Sequence, residues 1–230
     1  MRTGGNRMRI GGKDVEVVTA GSREAPMVIL NTVRGEGTPV YKRIRWLTDV
    51  DFTFVSIGGL DWNRDMSPWA SPPIYPKEEP FAGGADDYLR TLTDTIIPTI
   101  VRDNGLQPEY MMISGYSMAG LFAVYSAYRT DKFSRVVSAS GSLWFPGFMD
   151  FVCENEMRGR PDSIYLSLGD KEAKTRNQLL CRVQENTERL AGLYSGRGIP
   201  TRFEMNPGNH FTEPGERMAK GIAYALGAEH

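Results

Sequence analysis

The pattern of apolar and polar positions divides the chain into short apolar runs and longer segments with helical spacing. The short runs contain β-branched residues and end in turn residues, which is typical of β-strands. They cover residues 7–10, 14–19, 27–30, 52–57, 111–114, 135–139, 164–168 and 201–205. Gly11 and Gly12 stand between the first two runs and predict a β-hairpin.

The longer segments have apolar residues at intervals of three and four, which indicates amphipathic helices. The predicted helices cover residues 41–47, 88–101, 118–128, 176–194 and 214–226. Pro98 lies inside the second of these helices. Because proline lacks an amide donor and its ring clashes with the preceding turn, we expect a kink near that position.

The order of the predicted elements, a hairpin followed by strands that alternate with helices, indicates the fold class. Continuously apolar strands that alternate with helices favour a mostly parallel sheet covered on both faces. We therefore predict an α/β fold with about eight strands. A chain of 230 residues fits a single domain over residues 1–230. The segment between Gly141 and Asp162 is too short for a large separate lid.

Composition and charge exclude several classes of protein. Hydrophobic residues make up 40% of the chain and charged residues 24%, which is an ordinary globular composition. A formal net charge of −1 offers no electrostatic footprint for nucleic acid. No apolar run is long enough to span a bilayer, and residues 1–10 lack the apolar stretch of a signal peptide. We therefore expect a cytoplasmic protein that binds neither nucleic acid nor membranes.

Cysteine and histidine are scarce, which limits the available chemistry. Cys153 and Cys181 are predicted to be buried or reduced thiols, and a single disulfide between them is the alternative. Histidine occurs only at His210 and at the terminal His230, so we expect no His-rich metal site. His210 is the one internal imidazole available for acid–base chemistry near neutral pH.

Residues 113–120 carry the sharpest local signal, an apolar strand that leads through Gly-Tyr-Ser-Met-Ala-Gly into a helix. The pattern is close to the nucleophile elbow Gly-x-Ser-x-Gly, in which the serine lies on a strained strand-to-helix turn. The positions two before and two after Ser117 must be small to avoid backbone clashes, and Gly115 and Ala119 meet this demand. A glycine-rich turn with a capping serine is the alternative, but the strand before and the helix after favour the elbow.

The segment Pro-Gly-Asn-His-Phe places His210 in a loop between the last predicted strand and the last predicted helix. A hydrolase with a nucleophile elbow presents its base in such a loop, and the alternative is an ordinary surface histidine. Since no other internal histidine exists, His210 must be the base if Ser117 is the nucleophile.

An acid that orients the imidazole could come from the loop after residues 164–168. Asp170 and Glu172 follow Gly169, and either could take this role while the other lies in a solvated loop. Asp170 follows the strand directly and has a short side chain. Glu172 lies two residues further into the turn and has an extra methylene for reach.

These motifs together resemble the esterase D-like branch of the α/β-hydrolases. That branch includes siderophore (enterochelin) esterases, feruloyl esterases, S-formylglutathione hydrolase and mycolyltransferases. The resemblance covers about residues 15–226 and rests on the elbow, Ser-Gly-Ser-Leu-Trp at 140–144, the turn from Gly169 to Glu172, Gly-Asn-His-Phe at 208–211 and Asn-Arg-Asp-Met-Ser-Pro-Trp at 63–69. It implies an eight-stranded hydrolase sheet and a Ser-His-acid site for ester hydrolysis or acyl transfer. The acid of this branch commonly occurs as Gly-x-x-Asp or Gly-x-x-Glu, which favours Glu172 over Asp170.

The resemblance also implies an oxyanion hole made of two backbone N–H groups. One would come from Met118, the residue after the nucleophile, and the other from Arg34, or from Val33 if the register slips by one. Family members often carry Leu-Asp-Gly or His-Gly here, whereas this chain has Asn-Thr-Val-Arg-Gly-Glu at 31–36. Trp144 is the best candidate for a substrate-pocket residue, because the matching Ser-Leu-Trp segment lies near the site in the family.

We therefore predict a serine esterase of α/β-hydrolase fold in which Ser117 attacks an acyl carbonyl, His210 accepts its proton and Glu172 orients the imidazole. The expected partner is a small-molecule ester, and neither a metal nor a cofactor is expected. An acyltransferase with the same acyl-enzyme is the first alternative. A non-catalytic binding protein of the same fold is the second.

Overall fold

The computed structural model of the protein describes residues 5–33 and 35–227. Its strands are β1 (Asn6–Ile10), β2 (Lys13–Val18), β3 (Met27–Asn31), β4 (Thr53–Gly58), β5 (Ala70–Ser71), β6 (Phe81–Ala82), β7 (Met111–Tyr116), β8 (Arg135–Ala139), β9 (Ser163–Gly169) and β10 (Thr201–Asn206). Its helices are α1 (Gly37–Leu47), α2 (Trp62–Asp65), α3 (Ala85–Thr91), α4 (Ile97–Asn104), α5 (Met118–Arg129), α6 (Phe148–Glu154), α7 (Val183–Gly196) and α8 (Pro214–Leu226).

The central sheet has eight strands in the order β1-β2-β4-β3-β7-β8-β9-β10. β2 runs antiparallel to both β1 and β4, and all other neighbouring strands of this sheet are parallel. β5 and β6 form a separate antiparallel pair. The predicted α/β class with a mostly parallel sheet of about eight strands is confirmed. Because β7 to β10 are parallel, the loops that follow them meet at one edge of the sheet.

Each face of the central sheet is covered by helices. On one face, α1 and α8 bury Ile44 and Ile222 against residues such as Val28 of β3. On the other face, α3 to α7 pack on side chains such as Ile29, which is the next residue of the same strand. Alternate residues of β3 therefore serve two separate cores, which explains why its sequence is apolar without interruption.

The predicted hairpin and the predicted kink are both confirmed. Gly11 and Gly12 both have positive φ values, 56° and 76°, and join β1 to β2 in the hairpin that two such residues favour. The helix predicted over residues 88–101 is interrupted before Pro98 by a π-helical segment, Leu92–Ile96. Proline disrupts the hydrogen bonding of the turn before it, so the break falls where a kink was expected.

Other predictions need correction. Residues 176–179 are not helical, because Asn177 Oδ1 accepts the N–H groups of Leu179 (2.9 Å) and Leu180 (3.1 Å) in a local turn, and α7 begins only at Val183. The short elements α2, α6, β5 and β6 were not predicted. Both cysteines are free thiols, but neither is buried, and Cys153 is exposed.

Within the described residues, no helix combines the length and apolar character needed to cross a bilayer. The cytoplasmic location and the single-domain organisation without a large lid stay predictions from the sequence.

Candidate active site

Ser117 lies on the sharp turn between β7 and α5. Its backbone has φ 60° and ψ −124°, a conformation that residues other than glycine rarely adopt. A Cβ atom on Gly115 would lie 2.2 Å from the carbonyl oxygen of Ala119, so the turn closes only with glycine at that position. The demand for small residues around the predicted elbow is therefore met in the structure.

His210 lies in the loop between β10 and α8, and several hydrogen bonds hold that loop. The hydroxyl of Tyr116 donates to the carbonyl oxygen of His210 at 2.6 Å. Burial raises the pKa of Tyr116, so its hydroxyl remains a donor. The N–H of Gly208 donates to Asp170 Oδ1 at 2.7 Å. Asp170 therefore holds the loop that carries His210, and a different acid contacts the imidazole.

The structure brings Ser117, His210 and Glu172 into one hydrogen-bonded series. Nε2 of His210 lies 3.0 Å from Oγ of Ser117, and Nδ1 lies 2.7 Å from Oε2 of Glu172. The His210 side chain is 31% exposed and the Glu172 side chain 4%. Ser117 and His210 are therefore within reach of a ligand in the cavity, whereas Glu172 is enclosed.

Glu172 is ionised in this environment despite its burial. Burial raises the pKa of its carboxyl group, but hydrogen bonds with His210 and Ser140 outweigh this effect and hold the pKa below its usual range. The N–H of Gly169 also donates to Oε1 at 2.7 Å. An ionised carboxylate at Nδ1 leaves Nε2 of the neutral imidazole as the acceptor that faces Ser117.

Of the two predicted oxyanion donors, Met118 and Arg34, the structure describes only Met118. Met118 is the first residue of α5, where backbone N–H groups have no partner within the helix and the helix dipole favours negative charge. Arg34 lies outside the described residues. Val33, the alternative to Arg34, is 51% exposed and lines the cavity that contains Ser117.

A cavity of about 590 Å³ opens over Ser117 and His210. Apolar and aromatic side chains make up much of its wall, including Trp62, Tyr116, Phe211, Val40 and Met218. Charged residues at the same cavity are Glu36, Arg43, Glu213 and Glu216. The mixture fits a ligand with an apolar part and a polar or charged part.

Trp144 does not line this cavity. Its side chain is 8% exposed and packs near the rings of Phe81 and Phe145 in the core. The Ser-Leu-Trp segment does lie beside the site, since Ser142 Oγ is 3.4 Å from Ser117 Oγ. The large indole, however, is buried in the core away from the cavity, and the tryptophan that lines the cavity is Trp62.

Two polar residues that surround Glu172 were not among the predicted site residues. Ser140 follows β8 with a positive φ of 46° and donates to Glu172 Oε1 at 2.7 Å. Arg217, in the first turns of α8, donates to the same oxygen at 2.9 Å. The only sequence signal for Arg217 is its place beside Met218, on the face of α8 that turns to the core. Within residues 5–33 and 35–227, no group of three or more His, Cys, Asp and Glu side chains is arranged to hold a metal ion.

Comparison with known proteins identifies the family. Residues 49–214 match the model of the Esterase family, whose description is "Putative esterase", and this match covers more than half of the chain. The chain belongs to the Esterase family. Among curated proteins, this Esterase-family chain is 27% identical over 158 residues to the ferri-bacillibactin esterase BesA of Bacillus subtilis. The match covers 65% of this chain and 54% of BesA, so the chain spans about half the length of that relative.

Solved structures share the fold of this Esterase-family chain. The siderophore hydrolase EstB from Aspergillus nidulans has a TM-score of 0.75 at 17% identity, with 96% of this chain and 93% of EstB covered. An IroE-like serine hydrolase from Shewanella oneidensis has a TM-score of 0.74 at 18% identity, with 92% of this chain and 75% of the other covered. The shared architecture is the α/β-hydrolase fold, as predicted.

Proposed function

We propose that the protein is a serine esterase that hydrolyses a carboxylic ester of a small molecule through an acyl-enzyme intermediate. The observation that carries the proposal is the series from Ser117 Oγ through the His210 imidazole to Glu172, with contacts of 3.0 Å and 2.7 Å. The strained backbone of Ser117 and membership in the Esterase family support the same conclusion.

In the acylation half of the reaction, Ser117 Oγ attacks the ester carbonyl carbon while His210 Nε2 takes the hydroxyl proton. The carbonyl oxygen becomes an oxyanion, which the N–H of Met118 at the start of α5 stabilises. Glu172 stabilises the imidazolium that forms. When the carbon–oxygen bond to the alcohol breaks, Nε2 returns the proton to the leaving alkoxide, and the acyl group remains on Ser117.

In the deacylation half, water takes the place of the alcohol. His210 Nε2 removes a proton from the water as its oxygen attacks the acyl carbon. The second tetrahedral intermediate collapses, the bond to Ser117 Oγ breaks, and Nε2 gives the proton back to Oγ. The products are one carboxylic acid and one alcohol, and the enzyme returns to its starting state.

The relatives suggest which esters to test first. BesA, EstB and the enterobactin esterase FES of Shigella flexneri are named for the hydrolysis of siderophores. We propose siderophore-type and aryl esters as the first substrates to compare, alongside simple alkyl esters. The aromatic side chains of Trp62, Tyr116 and Phe211 in the cavity wall are suited to such groups.

The proposal is tested with p-nitrophenyl acetate in a rapid-mixing experiment. We expect a burst of p-nitrophenol near one equivalent per protein, followed by a slower steady rate, because an acyl-enzyme accumulates. Ser117→Ala is expected to remove both phases. Ser126→Ala is the matched control. Ser126 lies within α5, the helix that begins directly after Ser117, but it is buried and donates to the carbonyl oxygen of Ala123.

The same assay separates the alternatives. If the wild-type protein hydrolyses neither p-nitrophenyl acetate nor the siderophore-type esters above the Ser117→Ala background, the esterase proposal is wrong and the binding alternative is favoured. If an added alcohol captures most of the acyl group in place of water, the protein is an acyltransferase with the same acyl-enzyme.

A further inference from the structure

Arg217 is a buried cation that the proposed chemistry does not use directly. It lies in α8 with a side chain that is 3% exposed, so it cannot contact a substrate in the cavity. A buried charge is unfavourable unless it is paired and hydrogen-bonded, which raises the question of what its guanidinium group holds.

The guanidinium group connects three segments of the site. Nη1 donates to Glu172 Oε1 at 2.9 Å and to Ser140 Oγ at 3.0 Å. Nη2 donates to the carbonyl oxygen of Pro207 at 2.8 Å, at the start of the loop that carries His210. Because the guanidinium group is planar and rigid, these contacts fix the acid and the histidine loop relative to one another.

The contacts also decide which carboxylate oxygen faces the imidazole. Oε1 of Glu172 accepts hydrogen bonds from Ser140, Gly169 and Arg217. Oε2 accepts from His210 Nδ1. With Oε1 held by three donors, the carboxylate group cannot rotate freely, and Oε2 stays directed at the imidazole.

The backbone around Arg217 is built to admit it. A Cβ atom on Gly169 would lie 2.8 Å from both Nη1 and Nη2, and 2.4 Å from the carbonyl oxygen of Gly208. Glycine at this position therefore leaves the space that the guanidinium group and the histidine loop occupy. This gives a physical reason for the glycine in the turn that leads to Glu172.

We propose that Arg217 is a positioning residue of the esterase site, which orients the Glu172 carboxylate and anchors the His210 loop without touching the substrate. This inference rests on the proposed function. It assigns to α8 a role in catalysis beyond covering the sheet.

The test uses Arg217→Lys, which keeps the positive charge but loses the planar fork. Removal of the charge would leave Glu172 without its buried cation and is strongly destabilising, so the conservative variant is preferred. We expect kcat, normalised to the burst amplitude, to fall by about 10- to 100-fold with little change in KM. In a Glu172→Gln background, the same substitution should cause a smaller further loss, because only the anchoring of the His210 loop through Pro207 then remains to be lost.

Arg135→Lys is the matched control. Arg135 is equally buried and donates to the carbonyl oxygens of Ala225 and Leu226 at the other end of α8, away from Ser117. We expect this variant to lower the melting temperature without changing kcat per active site.

Two results would overturn the inference. One is an Arg217→Lys variant that behaves like Arg135→Lys, with reduced stability and unchanged kcat. The other is a loss of kcat that is as large in the Glu172→Gln background as in the wild-type protein. An inactive wild-type protein would instead contradict the proposed function, so the two failures are distinguishable.

Discussion

Glu172 Oε2 lies 2.7 Å from His210 Nδ1, and no such contact links the imidazole to Asp170, the other acid of the same loop. The carboxylate of Asp170 instead accepts the N–H of Gly208. Two acids separated by one residue thus take different tasks, one at the imidazole and one in the loop that carries it. The longer side chain and the turn after Gly169 allow Glu172 to reach back to the site.

This division predicts unequal effects for two isosteric substitutions. Glu172→Gln is expected to lower kcat by on the order of 10²- to 10⁴-fold, because the imidazolium loses its counter-charge and the tautomer is no longer fixed. Asp170→Asn should lower kcat far less, because the amide oxygen can still accept the N–H of Gly208. Steady-state kinetics with circular dichroism to check folding provide the measurement. A larger loss in Asp170→Asn, with both variants folded, would reverse the assignment.

The lowered pKa of Glu172 predicts a dependence of stability on pH. An acid whose pKa is lower in the folded state contributes stability above its unfolded pKa, ordinarily about 4.3, and loses it as the pH falls through the folded value. The difference in unfolding free energy between the wild-type protein and Glu172→Gln should therefore shrink as the pH falls from about 5 to below about 4. Urea denaturation across this range measures it. A difference that stays constant or grows below about pH 4 would contradict the ionised, hydrogen-bonded carboxylate.

The close approach of Gly115 to Ala119 predicts that one added methyl group at Gly115 strongly lowers both stability and activity. Gly115→Ala places Cβ 2.2 Å from the Ala119 carbonyl oxygen, so the turn must open and Ser117 must move. We expect a loss of about 1–3 kcal/mol in unfolding free energy together with a large fall in kcat. Gly192→Ala in α7 is the control, since a Cβ atom there meets nothing within 4 Å, and it should stabilise the helix by about 0.5–1 kcal/mol. A Gly115→Ala variant with normal activity and stability would contradict the steric account of the elbow.

Phe211 is expected to contribute to substrate binding. It is 85% exposed, follows His210 directly and lines the cavity. Phe211→Ala should raise KM for esters with an aromatic acyl group, such as p-nitrophenyl benzoate, more than for p-nitrophenyl acetate, with kcat changed little, because the lost contact is made to the substrate in both the ground state and the transition state. Trp46→Ala is the control, since Trp46 is 89% exposed and does not line the cavity. Equal effects of the two substitutions on KM would exclude Phe211 as part of the binding surface.

The predictable parts of the fold and site are those in which local sequence carries a physical constraint. β9 is buried along its whole length and α8 has one apolar face. Their hydrophobic patterns therefore predict a strand and a helix, respectively. Ser117 was recognisable because its turn tolerates only small neighbours. His210 was recognisable because it is the only internal histidine.

The parts that escaped prediction depend on contacts between distant segments. The sequence places Arg217 beside Met218 on the core-facing side of α8, but its contacts with Glu172 and Pro207 depend on the packing of α8 beside Gly169. Trp144 follows a strand end, as a pocket residue would, but its indole packs with Phe81 from the β5–β6 hairpin, which was not predicted. In both cases, the direction of one side chain is decided by tertiary packing.

In the proposed mechanism, Ser117 is the nucleophile and is activated by His210 and Glu172. Its most direct test is treatment of the wild-type protein with a fluorophosphonate, followed by peptide mass mapping of the adduct. We expect one adduct, located on Ser117, that is absent from Ser117→Ala and retained in Ser126→Ala. An unlabelled wild-type protein, or an adduct on any other serine, would contradict it.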